Sequence, residues 1–257
     1  MKSSLLESVT MSGDPGQFLV SGPWPSKRQG HYLRIDPFFE REERLTSACR
    51  LCSLAPQIWS GNCGIHFKPA AKLIGEIREE LKSYTRIDIP VESLIVESFW
   101  EPTCHPGFSD FSGALIALKK EFFPLSKLGI LSNGSQAFRQ EIRETFEMFD
   151  FCWMRLDAGH SERHDLSDFE AMVNAFRKMR RNTVIRSVFV QGEIDNTHPE
   201  TIDHWIETVG FIQPREVQIT TMEEKASGQG MQRVEDKRLH EIQENCQSMT
   251  GVPVFLF

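Results

Sequence analysis

Short apolar runs alternate with longer runs of helical period along most of this chain. The apolar runs cover residues 31–35, 94–99, 128–131, 151–156, 184–190, 217–220 and 252–257. From Leu94 onward their starts lie about 23 to 35 residues apart, the length of one strand-plus-helix unit. The intervening runs each place apolar residues on one helical face. These faces are Ala70, Ile74, Ile77, Leu81 and Tyr84; Phe111, Leu115, Leu118 and Phe122; Phe138, Ile142, Phe146 and Phe149; Phe169, Val173, Phe176 and Met179; and Ile202, Ile206 and Val209. Ser167 with Glu170, and Thr197 with Glu200, read as capping boxes. Strands that alternate with helices pair in parallel, and the helices cover the sheet. The expected fold class is therefore α/β, a partial or nearly complete barrel, with a doubly wound open sheet as the other arrangement. In either, ligands sit at the C-terminal ends of the strands.

A chain of 257 residues is long enough to bury a sizeable core in one such domain. Its net charge of −7 argues against general phosphate-backbone binding. No apolar run approaches a membrane span, and the N-terminus lacks a secretory core, so a cytoplasmic protein is expected. Residues 1–20 read as a loose extension and 21–257 as a single domain. One unit is irregular. From His31 to Leu94 the chain runs about twice the later repeat, and the surplus is the segment 37–68, which holds three of the six cysteines.

That segment carries Cys49-Arg50-Leu51-Cys52 and then Cys63-Gly64-Ile65-His66. Two thiolates two residues apart can face one ion, and a second such pair completes a tetrahedral zinc site. Thiolates also hold iron–sulfur clusters. A third reading takes the cysteines as small buried residues. All three stay open on spacing alone. Cys152, in an apolar strand, and Cys246, beside Leu239, Ile242 and Met249, read as core. His160 and His164 lie in a mixed-charge loop and read as solvated. The run Phe176-Arg177-Lys178-Met179-Arg180-Arg181 ends a helix, where cations suit the dipole.

The predicted strand ends carry a further pattern. Ser21-Gly22-Pro23-Trp24-Pro25-Ser26-Lys27-Arg28-Gln29-Gly30 and Leu33-Arg34-Ile35-Asp36-Pro37 surround the first strand. Glu101-Pro102-Thr103-Cys104-His105-Pro106 follows the second, and Leu131-Ser132-Asn133-Gly134-Ser135 the third. Leu156-Asp157-Ala158-Gly159 follows the fourth, Val190-Gln191-Gly192-Glu193-Ile194-Asp195-Asn196 the fifth, and Val217-Gln218-Ile219-Thr220-Thr221 forms the sixth. In this order they resemble the GPVPSRRLG, LGIDP, GEPTLHP, TNGS, SLDAG, G-x-N-D and VQLNT segments of the radical SAM superfamily. The similarity is to its iron–sulfur oxidoreductase group, near the wyosine-type tRNA-modifying branch.

The resemblance implies a partial (β/α)6 TIM-type barrel. It also implies a [4Fe-4S] cluster on three cysteines whose open iron binds S-adenosylmethionine, and an electron donor that drives its reductive cleavage. Glu101, Asn133, Gly134, Asp157 and Asn196 would then bind the cofactor, with Gln191 beside them, and Cys49, Cys52, Cys63 and His66 form the candidate metal set. The substrate stays undefined, with RNA or a peptide conceivable. Two departures touch one site. Leu45 stands where the first cluster cysteine is expected, and Trp100 replaces a glycine that lets backbone approach the cofactor. Either Cys63 supplies the third ligand, or the chain is a degenerate, non-catalytic barrel. In the second case the cysteine segment binds zinc or no metal and the protein serves as a binding or regulatory module. Cys104, where the family has leucine, reads as a buried thiol.

Overall fold

The computed structural model describes residues 18–26, 28–38, 68–98, 101–159, 166–222 and 231–257. They divide into two compact units, the first ending at Gly129 and the second running from Ile130 to Phe257.

In the first unit, β1 (Val20–Ser26) pairs antiparallel with β2 (Gly30–Ile35), which runs parallel to β3 (Ser93–Val96). Helices α1 (Ala70–Tyr84) and α2 (Phe108–Phe122) belong to this unit, as does a 3-10 turn over Pro102–Cys104. Strand β1 is not among the predicted strands, and it contains Gly22, Pro23 and Pro25. An edge strand next to a register shift tolerates proline, since the missing N–H falls outside the ladder. Gly22 is required there: its φ is +124°, and a Cβ would lie 2.7 Å from the Tyr32 carbonyl oxygen.

Strand β4 (Lys127–Ser132) leads into the second unit. There α3 (Gln140–Phe146), β5 (Phe151–Arg155), α4 (Leu166–Lys178), β6 (Thr183–Gly192) and α5 (Pro199–Ile212) follow one another. Next come β7 (Glu216–Thr221), a short β8 (Met231–Arg233), α6 (Asp236–Thr250) and β9 (Val254–Leu256). Strands β5, β6, β7 and β9 are neighbours in that order and parallel, while β8 pairs antiparallel with β6. The fold class is α/β with mostly parallel strands, as the alternation implied.

The helices bury the expected faces with local corrections. In α1 the buried residues are Leu73, Ile77 and Leu81, whereas Ala70, Ile74 and Tyr84 are half-buried. Phe138 precedes α3 and is exposed, and Met249 is exposed on α6. Neither capping box forms as read. Ser167 lies inside α4, and α5 starts after His198 with Pro199 at its first position. The Thr197 hydroxyl instead donates to Asp195 at 2.7 Å. Among the described residues no helix is long and apolar enough to cross a membrane.

The sheet of the second unit has two unlike faces. Cys152, Ser187 and Phe189 point to the side where α5 packs. Trp205 of α5 donates its indole N–H to the Leu156 carbonyl at 3.0 Å and to Ser187 Oγ at 3.1 Å, and meets the Phe189 ring edge-on. By the alternation of a strand, Trp153, Arg155, Arg186, Gln218 and Phe255 occupy the opposite face.

Candidate functional site

The C-terminal strand ends of the first unit are stiffened by buried carboxylates. After β2, Asp36 is buried, takes a hydrogen bond from Arg34 Nη2 at 2.9 Å and accepts the Phe38 N–H at 2.9 Å. Arg34 Nε donates to the Glu97 carbonyl beyond β3 at 3.1 Å. Glu101 is buried and caps the 3-10 turn, its Oε1 accepting from the Thr103 amide at 3.2 Å and the Thr103 hydroxyl at 2.6 Å. The turn therefore orients this carboxylate from within the chain. Cys104 is only half-buried, a correction to the expected buried thiol. His105 Nδ1 accepts the Gly107 N–H at 3.0 Å, so Nε2 carries the proton and donates to the Lys68 carbonyl at 3.0 Å. Packed against Phe38 and Phe111, this histidine holds a loop.

In the second unit the turn after β4 is built by its own side chains. Ser132 Oγ accepts the Gly134 N–H at 3.0 Å and Asn133 Oδ1 accepts the Ser135 N–H at 2.9 Å, an Asx turn. Gly134 has φ +76°, and a Cβ on it would overlap the Phe176 ring. After β5, Asp157 is buried, with Oδ1 accepting the Val188 N–H at 2.7 Å and Oδ2 lying 3.7 Å from Arg155 Nη2. Asn196 is buried and spans β6: Oδ1 accepts the Val190 N–H at 2.8 Å and Nδ2 donates to the Val188 carbonyl at 2.9 Å. Gln191 Nε2 donates to Thr197 Oγ1 at 3.3 Å. Asn133, Gly134, Asp157 and Asn196 thus all lie at strand ends of one unit, and Glu101 at a strand end of the other. Each also has a structural task.

The candidate metal residues Cys49, Cys52, Cys63 and His66 lie outside the described residues, as do Leu45, Trp100, His160 and His164. Among the described residues no cluster of three or more His, Cys, Asp or Glu side chains has metal-binding geometry. Cys152 and Cys246 are buried, as expected of core thiols, and burial pushes both thiols up, Cys246 to about 12. An open groove of about 700 Å³ lies in the first unit against Gly30, Ser93 and Lys127, where β2, β3 and β4 begin. That is the end opposite the one where barrel ligands bind.

One set of residues carried no motif and was missed. Arg155, Arg186 and Gln218 stand side by side on β5, β6 and β7. The available signal was a charge in the middle of an apolar strand run, Val184-Ile185-Arg186-Ser187-Val188.

No protein-family model matches the chain. It is 25% identical over 253 residues to GTPase Obg of Brachyspira hyodysenteriae, covering 91% of this chain and 35% of that protein. The chain thus spans about a third of that relative's length. The sequence contains no Gly-Lys pair, which a G-x-x-x-x-G-K-[ST] phosphate loop requires. Among solved structures, Streptococcus suis SuiB bound to the precursor peptide SuiA is similar with a TM-score of 0.53 and 14% identity, over 75% of this chain and 43% of SuiB. SuiB bound to S-adenosylmethionine gives 0.52 and 14% over 75% of this chain and 44% of SuiB. Archaeal TYW1 gives 0.51 and 11% over 84% of this chain and 71% of its own length. These neighbours are radical SAM enzymes, whose folds are partial TIM barrels. The order of strands and helices and this likeness give the chain the fold of the radical SAM superfamily, with the wyosine-type TYW1 among its structural neighbours.

Proposed function

We propose that this is a radical SAM-type protein that binds S-adenosylmethionine at its C-terminal strand ends and a metal centre on the cysteine segment. Residues 21–257 form one barrel, to which the buried Leu19 and Val20 at the start of β1 also belong, and the protein works in the cytoplasm. The observation that carries the reading is the succession of family-like segments, each at a strand end: Glu101 after β3, Asn133 and Gly134 after β4, Asp157 after β5 and Asn196 after β6. Carboxylates suit the ammonium and hydroxyl groups of S-adenosylmethionine, and amides its hydroxyls. Glu101 would take the ammonium, held by Thr103 in the orientation it already has. Asp157 and Asn196 would border the adenosine half, and Asn133 and Gly134 would shape the turn beside it. Cys49, Cys52 and Cys63 would hold a [4Fe-4S] cluster, with His66 completing the set if the ion is zinc. The cluster and an external electron donor would supply reductive cleavage of the sulfonium.

A second reading is supported by the hydrogen bonds themselves. Asn196 gives both amide atoms to the β6 backbone, Asp157 and Asn133 each give an oxygen to a backbone N–H, and Gly134 is required by Phe176. The fold alone retains these residues, so a non-catalytic barrel would keep them too. Leu45 and Trp100 point the same way.

Iron, sulfide and zinc counted per chain after purification without oxygen separate the two. Iron with matching sulfide near one cluster per chain is expected from the first reading. Zinc without sulfide, or neither metal, refutes it and leaves a repurposed barrel.

A further inference from the structure

At the strand-start end of the second unit, α4 ends at Lys178 and a tight turn over residues 179–182 leads into β6. The turn is fixed at both feet. Met179 is buried, and its carbonyl accepts the Asn182 N–H at 3.2 Å and the Thr183 hydroxyl at 3.0 Å. Asn182 Nδ2 donates to the Phe146 carbonyl at 2.8 Å and to the Phe149 carbonyl at 3.3 Å. Arg180 and Arg181 are the two central residues of the turn, and both are exposed. Arg215, also exposed, immediately precedes β7 and donates its N–H to the Thr183 carbonyl at 2.9 Å. Beside them the Arg177 guanidinium lies 4.3 Å from the centroid of the Phe211 ring, near the end of α5, and Phe211 is 42% exposed. Two adjacent helix-to-strand turns thus present Arg177, Lys178, Arg180, Arg181 and Arg215 at one end of the unit.

The fold does not use most of these cations. Among the described residues, the arginine side chains that meet no acceptor, carboxylate or ring are those of Arg86, Arg180, Arg181 and Arg215. Three of those four stand here, and Lys178 beside them is equally unpaired among the described residues. One turn back in α4 stand Val173, Asn174 and Ala175, so no carboxylate is placed to pair with Arg177 or Lys178. Glu216, next to Arg215, accepts from the Gln218 amide instead. A helix C-terminus favours cations in its last turn, but Arg180 and Arg181 lie beyond α4 and Arg215 belongs to another element. Like charges on one surface repel. The chain has 36 Asp and Glu residues and a net charge of −7, yet none of those acids neutralises this surface.

We infer that this surface docks a single-stranded nucleic acid. All but Lys178 of the cations are arginines, whose planar fork meets a phosphate with two parallel hydrogen bonds. The anchored turn holds two of them in place before any partner arrives. The stacked Arg177 and Phe211 offer a flat, exposed platform for a base, and only a strand with unpaired bases can stack on such a plane. An acidic protein segment would satisfy the charges but leave that platform idle. The surface lies at the strand starts, whereas Asn133, Asp157 and Asn196 lie at strand ends of the same unit. The nucleic acid is therefore held away from the proposed cofactor end, and the inference stands apart from the radical SAM reading.

Fluorescence anisotropy of a labelled oligouridylate of about 12 nucleotides, titrated with the full chain and no added metal, tests this. Wild type is expected to bind in the micromolar range at about 50 mM salt, and five phosphate contacts on a single strand give log K a slope of about −3.5 against log salt. Arg180→Gln combined with Arg181→Gln should weaken binding about tenfold or more and bring the slope to about −2. Phe211→Leu should weaken binding severalfold and leave the slope unchanged. Arg86→Gln, at the unpaired arginine of the first unit, should change nothing. All four positions are exposed, and each variant is checked for a native unfolding transition. No rise in anisotropy up to about 100 μM protein overturns the proposal. So does a loss of binding in Arg86→Gln equal to that of the double variant. Polyglutamate that displaces the oligouridylate at equal charge concentration would assign the surface to an acidic protein instead. Unchanged affinity in Phe211→Leu would remove the stacking platform, and with it the reason for choosing a nucleic acid.

Discussion

The two faces of one sheet in the second unit solve the same chemical problem in opposite ways. On the side where α5 packs, polar atoms are paired within the chain. Ser187 Oγ donates to the Leu156 carbonyl at 2.6 Å, the Trp205 indole donates to both, and the Cys152 thiol donates to the Phe146 carbonyl at 3.4 Å. On the other side Trp153 Nε1 and Gln218 Oε1 have no such partner, although their residues are as deeply buried. Both faces are made from the same strands, with alternate residues pointing to each side. The lesson is that burial alone does not tell the two faces apart, whereas the pairing of buried polar atoms does.

The largest effect expected from that contrast is alkaline. Cys246 is buried, which raises its thiol from the ordinary 9.0 to about 12, with the Thr250 hydroxyl offsetting part of the rise. Burial raises Cys152 as well. A thiol raised on folding contributes stability that is complete below the unfolded value and is lost as pH climbs through the folded one. Three pH units at about 1.4 kcal/mol each make about 4 kcal/mol at stake for Cys246 between pH 9 and 12. Urea unfolding across that window should show the loss, and Cys246→Ala should flatten its slope. An unchanged slope would mean the thiol is not sealed in the core.

Next in size is Gly134→Ala. It demands positive φ of a residue with a Cβ and drives that carbon into Phe176, at a cost of about 3 kcal/mol. A loss below 1 kcal/mol would show that the turn and α4 yield to it, and would take away the packing reason for glycine at this strand end.

Much of this was legible in the sequence, and the gaps have particular causes. Alternation of apolar runs with helical periods located seven of the nine strands among the described residues. It missed β1 because two prolines and a glycine mask an edge strand, and β8 because three residues carry no period. It placed Phe138 on a helical face, but the helix begins two residues later. At the strand ends the motifs singled out residues that the fold itself also uses. Glu101, Asp157 and Asn196 look like cofactor ligands in sequence, and in three dimensions each also ties down its own turn. The Arg155–Arg186–Gln218 row had no motif at all. Only the strand register brings those residues together, and register is a property of pairing rather than of any one segment.

A single substitution made on both faces measures their difference directly. Trp205→Phe and Trp153→Phe remove the same volume and the same N–H. On the α5 side the change strips a partner from the Leu156 carbonyl and from Ser187 Oγ, so a loss of about 2 kcal/mol is expected. At Trp153 the lost donor had no partner to leave behind. There the expected cost is about 1 kcal/mol, from volume and a weaker ring beneath Arg186. Equal losses in thermal unfolding would break the comparison.

The smallest effect has the opposite sign. Gln218→Leu removes a buried acceptor that nothing in the chain satisfies and keeps most of the side chain's bulk. Its bond to Glu216 is lost as well, but Glu216 is half-buried and water can replace the amide there. The ligand-free protein should gain about 1 kcal/mol, since relieving an unmade hydrogen bond outweighs a partly solvated one. The orphaned oxygen costs stability that its packing does not return. A residue whose oxygen is satisfied would lose stability instead. If Gln218→Leu destabilises the protein, the oxygen has a partner in solution, and the two faces of the sheet are alike after all.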